Sequence, residues 1–124
     1  MAQIDIKTEK DRDLTFIVVC GKVTVAELVD ALKQFYDSEI TTHILWDFSN
    51  YDVTALMAGD FSIVINVAKR YAHLRPNGKS AFIASSEFAM GIGSMYSSLS
   101  GLKFHPISNG IFRSMDEALA WLDS

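Results

Sequence analysis

Ile44-Leu45-Trp46-Asp47-Phe48-Ser49-Asn50 reads as a short apolar strand that stops at an aspartate and two small polar residues. A helical pattern begins near Ala58, which makes this a strand, loop and helix of the kind whose loop carries sites in alternating α/β folds. The run is too short and too uniformly apolar for a sheet edge, so it is expected at the centre, with helices over both faces.

Toward the N-terminus, Ile4 and Ile6 alternate with polar neighbours. After the charged turn Lys10-Asp11-Arg12-Asp13 comes a second strand, Leu14 to Cys20, closed by Gly21, and together these form an antiparallel hairpin. Thr24 and Glu27 have the spacing of a capping box. The helix they open places Val25, Leu28, Leu32, Phe35 and Tyr36 on one stripe and leaves Glu27, Asp30, Lys33 and Gln34 to water.

Toward the C-terminus, a helix from about Ala58 to Leu74 gathers Phe61, Val64, Ile65, Ala68 and Tyr71 on one side, and Pro76 with Asn77-Gly78 ends it. Ser80 to Ala84 is a further short strand. Ser85-Ser86-Glu87 then supplies a cap and an acidic first turn for a helix to about Ser98, weakened by Gly91 and Gly93. Lys103 to Ile107 looks extended, and Asn109-Gly110 between apolar flanks permits either a bent strand or a small hairpin. Ser114 and Glu117 are a second capping-box pair, opening a helix that turns Ala118, Trp121 and Leu122 inward. The expected architecture is one domain over 1–124: an α/β fold with a mixed, mostly parallel sheet, helices on both faces, and an N-terminal antiparallel hairpin.

Composition narrows the function classes. With 124 residues, 49% of them hydrophobic, the chain can bury one core. A net charge of -4 argues against a nucleic-acid surface. The cations that do cluster, Lys69, Arg70, Arg75 and Lys79 with His73, fall where they favour the negative end of a helix dipole. Cys20 has no partner for an internal disulfide and is expected as a small buried thiol. No segment reaches the roughly 20 apolar residues of a membrane span, and the N-terminus lacks the apolar core of a signal peptide, so the expectation is a cytoplasmic protein without integral membrane association.

The quoted stretches also carry a resemblance. Gly21-Lys22-Val23-Thr24, Leu45-Trp46-Asp47-Phe48, Gly91-Ile92-Gly93-Ser94-Met95-Tyr96 and the ending Phe112-Arg113-Ser114-Met115-Asp116-Glu117-Ala118-Leu119-Ala120-Trp121-Leu122 make the chain similar to the SpoIIAA-like proteins. These are relatives of the STAS domains of anti-sigma-factor antagonists and are linked by fold to the lipid-binding SEC14 domains. The resemblance implies an interaction module whose partner is a protein such as an anti-sigma-factor-like regulator. In STAS antagonists a serine shortly after the third strand is phosphorylated by a partner kinase. The corresponding positions here, Ala55 to Met57, have no hydroxyl, so the serine switch is expected to be missing, and Thr54 reads as a helix cap. Ser94 stands where SpoIIAA-like proteins tend to carry an arginine.

No reactive constellation accompanies these features. His43 and Asp47 share a strand face, yet four residues of strand separate them by ~13 Å, too far for a base and its orienting carboxylate. Asp47 and Ser49 can approach each other at the strand's end, and the ordinary use of such residues there, with Asn50, is to bond loop amides. The three histidines lack ligand spacing, and Gly91-Ile92-Gly93 is no dinucleotide fingerprint. The expectation is therefore a non-enzyme without metal or cofactor. Its partner-binding rim is Asp47, Ser49, Asn50 and Thr54. The alternative is an apolar cavity under Met57, Phe61, Phe88, Met90 and Met95 that admits a lipid-like ligand. The apolar fraction also suggests a homodimer.

Overall fold

The computed structural model describes residues 2–52, 58–84 and 107–124, with the side chains of residues 58–62, 65 and 109 outside that description. Strands β1 (Gln3–Glu9) and β2 (Leu14–Gly21) pair antiparallel through a one-turn 3-10 helix, in register from Gln3 opposite Cys20 to Glu9 opposite Leu14. The turn closes because Asp13 adopts the left-handed conformation (φ 53°), which aspartate tolerates better than most residues. Helix α1 (Val25–Asp37) follows, then β3 (His43–Tyr51), α2 (Ala58–Tyr71) with a 3-10 turn over Ala72–Leu74, β4 (Lys79–Ile83), β5 (Ser108–Phe112) and α3 (Met115–Leu122).

The five described strands lie in sequence order, β1 to β5, and every pair after the first is parallel. The sheet is mixed and mostly parallel, with β3 at its centre, as the apolar run around Trp46 predicts. The steps from β2 to β3 and from β3 to β4 run in the same direction across the sheet, and α1 and α2, which make them, share a face. On it Leu28, Leu32, Phe35 and Tyr36 from α1 and Val64 and Val67 from α2 pack against Ile17, Val19, Ile44, Trp46 and Phe82. Tyr36 and Tyr71 stack across the two helices, with centroids 4.8 Å apart. Alternation sends Leu14, Leu45, Ala81 and Ile83 to the opposite face, where Ala118 and Leu122 of α3 cover them. Helices on both faces are thus observed among the described residues.

Local signals account for the helix ends. The Thr24 hydroxyl accepts from the Glu27 amide, and the Glu27 carboxylate accepts from the Thr24 amide, completing the capping box. At α3 only half of the motif forms: Ser114 caps the Glu117 amide, but the Glu117 carboxylate meets the Ser114 hydroxyl instead of its backbone.

Two expectations need correction, and one choice left open is decided. First, β3 does not stop at Asp47 but continues to Tyr51. Second, of the strand and the hairpin left open for Asn109-Gly110, the strand is observed: the pair lies inside β5, parallel to β4. A Cβ on Gly110 would come within 2.9 Å of the Phe112 ring and 3.4 Å of Trp121, so this glycine answers to close packing and not to a turn. Third, Cys20 is partly exposed, because it shares the face of Val18 near the end of β2 and not the face of fully buried Val19. The helix expected from Ser85 to Ser98 lies outside the described residues.

Candidate functional site: the carboxyl rim of the central strands

The parallel strands β2, β3 and β4 end on one rim, and β3 reaches it through an irregularity. Val18 pairs with Asp47 and Cys20 with Asn50, so two residues of β3, Phe48 and Ser49, oppose the single Val19 of β2. This is a β-bulge, a feature that re-aims side chains at strand ends. Here it resets the alternation: Asp47 and Asn50 align with the Val18 and Cys20 face, while Phe48 and Tyr51 belong to the α1/α2 face.

Asp47 holds the bulge together. Its Oδ1 accepts from the Ser49 amide at 2.9 Å and from the Ser49 hydroxyl at 2.5 Å. A short carboxylate that bonds the backbone two residues on gives the chain a local alternative to the sheet ladder. The two residue types with most chemical potential on this rim are therefore spent on each other, and Asn50 is the exposed member of the set.

Aromatic packing backs the rim from the helical side. The Phe48 ring stacks on Trp46 at 5.8 Å and on Phe82 at 6.4 Å, and meets Tyr51 edge-on at 5.5 Å. The Tyr51 hydroxyl donates to the Val23 carbonyl (3.0 Å) and the Asp52 amide to the Gly21 carbonyl (2.9 Å). The end of β3 is thereby fixed to the residues that lead into α1. Thr54, Met57, Phe88, Met90 and Met95 lie outside the described residues, as does the Phe61 side chain.

The charged residues with the richest hydrogen bonding stand at the opposite end of the sheet. Arg75, expected as a helix-dipole cation, is 3% exposed. Its guanidinium donates to the Thr42 carbonyl (3.0 Å), the Ser80 hydroxyl (3.1 Å) and the Lys79 carbonyl (2.9 Å), and lies 5.9 Å from the centre of the Phe35 ring. Lys79 also departs from the dipole reading: its ammonium donates to the Trp121 and Ser124 carbonyls and sits over the Trp121 ring. The sequence pattern reads both as cations at a helix end. The missed signal is Asn77-Gly78, where Asn77 takes φ 64° and a Cβ on Gly78 would fall 2.5 Å from the Thr42 carbonyl, so the chain doubles back tightly enough to bury Arg75.

Neighbouring polar groups complete this knot. The Thr42 amide and hydroxyl both donate to the Asp13 carboxylate, and the Thr41 hydroxyl donates to the His43 carbonyl while taking a bond from Thr15. His43 accepts the Lys79 amide at Nδ1 (3.0 Å), which requires that nitrogen to be unprotonated. Burial, reinforced by the charges of Arg75 and Lys79 and opposed by Asp13 and Asp123, holds the His43 pKa below its usual value. For Asp13, desolvation works to raise the pKa, but the bonds from Thr42 and the charges of His43 and Arg75 outweigh it and the result is lowered. His43 and Asp47 stand at opposite parts of β3 with different partners, and no dyad forms. Among the described residues no cluster of His, Cys, Asp and Glu could hold a metal ion, and no helix is long and apolar enough to cross a membrane.

No family model matches the chain, and no curated protein is similar to it in sequence. Among solved structures, it is similar to an uncharacterized protein of the DUF3478 family with a SpoIIAA-like fold from Shewanella loihica PV-4. The two are 17% identical with a TM-score of 0.62, over 98% of this chain and 93% of that one. Strand order, the antiparallel first pair and the helix placement agree with this likeness, and the chain has a SpoIIAA-like α/β fold.

Proposed function

We propose that the chain is a non-catalytic interaction module of the STAS type, which binds another protein through the rim of Asp47, Ser49, Asn50 and Thr54 and works without a phosphorylatable serine. The observation that carries this reading is the Asp47 carboxylate satisfied by Ser49 two residues away. A serine nucleophile needs a base, and His43, which accepts the Lys79 amide, stands at the far end of the same strand.

Topology supports the same reading. Open α/β sheets bind small molecules in the crevice where strand order reverses, and among the described residues the order runs β1 to β5 without reversal. A rim of short polar side chains, pinned by Tyr51 and backed by stacked aromatics, offers a firm surface for a protein partner, where few groups need to reorganise on binding.

The test is a titration against the partner recovered with the wild-type chain as bait. Asn50→Lys should abolish measurable binding while leaving the far-ultraviolet circular dichroism unchanged. Unaltered affinity would refute the rim as the contact, and substrate turnover that disappears in Asp47→Asn would refute the non-catalytic assignment. Saturable binding of a fluorescent fatty acid would favour the apolar-cavity reading instead.

A further inference from the structure

We infer that two copies of this chain associate through the free edge of β1, pairing antiparallel about Ile6 to join their sheets into one. This goes beyond the rim and does not depend on it. β1 pairs with β2 alone and ends the strand order, and among the described residues no strand takes its outer side. An edge strand presents unpaired amides and carbonyls that natural proteins cover, blunt or use.

The sequence of β1 selects both the occupant and the register. Gln3, Asp5 and Lys7 are exposed on one face, while Ile4 and Ile6 are partly buried against the α1/α2 core on the other. Pairing about Ile6 sets each Asp5 opposite the partner copy's Lys7, twice by symmetry, and places Ile6 beside its own counterpart on the helical face. Moving the register by one pleat in either direction puts Asp5 against Asp5 or Lys7 against Lys7, and like charges directly opposite are destabilising. Centred on Ile6, the strand is complementary to itself over its whole length, with Gln3 opposite the partner copy's Glu9 at the ends, which is the requirement for a twofold contact. Both isoleucines keep surface that this contact would cover.

Light scattering on the full chain at high micromolar concentration tests the pairing. The expected mass is about twice the 13.8 kDa of one chain. Asp5→Lys replaces two attractive pairs by two repulsive ones and should raise the dimer dissociation constant by roughly tenfold or more. The double exchange Asp5→Lys with Lys7→Asp restores opposite charges in the same register and should restore the dimer. Because Asp5 and Lys7 are exposed, unchanged circular dichroism is expected for each variant. A wild-type monomer, an Asp5→Lys variant as dimeric as the wild type, or a double exchange that fails to recover the dimer would overturn the inference.

Discussion

At the end of the sheet where β3 and β4 begin, Arg75, Lys79, His43, Asp13 and the threonines 15, 41 and 42 bond one another and the backbone. At the end where β3 finishes, the polar groups are short, Asp47 turns back onto Ser49, and Asn50 faces water. The first arrangement ties several segments of chain together, so its charges are structural although they are the more conspicuous in the sequence. Among the described residues, the second ties the end of β3 to itself and to the residues that lead into α1. Where side chains hold the fold they are costly to change, and where they merely shape a bulge they are open to selection for a partner.

The largest effect that would test this contrast is at Arg75. Arg75→Ala strands a buried hydroxyl and two carbonyls and should cost about 3–5 kcal/mol in urea unfolding. Arg75→Lys should recover little of it, since an ammonium cannot reproduce a three-way planar fork. A loss within about 0.5 kcal/mol, typical of surface changes, would mean that the knot is decorative.

The same end should make the fold acid-sensitive. His43 has a lowered folded pKa, so the unfolded chain binds protons first; the stability that the neutral imidazole contributes is present above the unfolded value of about 6.5 and is lost as pH falls through the folded one. Asp13 adds to the decline below about pH 4, by the same sign. Melting temperature should therefore fall between about pH 7 and about pH 5, and His43→Gln should flatten that interval. A flat profile in the wild type would contradict the role given to His43.

At the rim the expected effects on stability are smaller. Tyr51→Phe removes one hydrogen bond to the Val23 carbonyl and should cost about 1 kcal/mol. Asn50→Ala should change stability by less than about 0.5 kcal/mol, because its side chain is exposed. If denaturation showed Asn50 to matter as much as Arg75, the division between the two ends would collapse.

Much of the fold is legible in local sequence. The apolar run through Trp46, the alternation at Ile4 and Ile6, and the cap at Thr24 each report a short-range preference that the tertiary structure respects. The site is less legible, because its features depend on register between strands. The bulge exists only relative to Val18 and Cys20, and nothing within Asp47 to Tyr51 announces it. Arg75 is misread for the same reason: its partners Thr42 and Ser80 come from different strands or the approaches to them, and periodicity along one helix cannot show that they converge. Gly110 leaves two forms open in the sequence, since an Asn-Gly pair has two uses and the aromatic rings that decide between them are Phe112 and Trp121.

The most direct test of the contrast is site-specific photocrosslinking in living cells, with the reactive group placed at Asn50 on the rim or at Glu39, which is exposed and paired with Lys10 at the opposite end. One discrete protein adduct is expected from Asn50, lost with Asp47→Lys, and none of that mass from Glu39. The same adduct from both positions, or none from Asn50, would contradict that contrast.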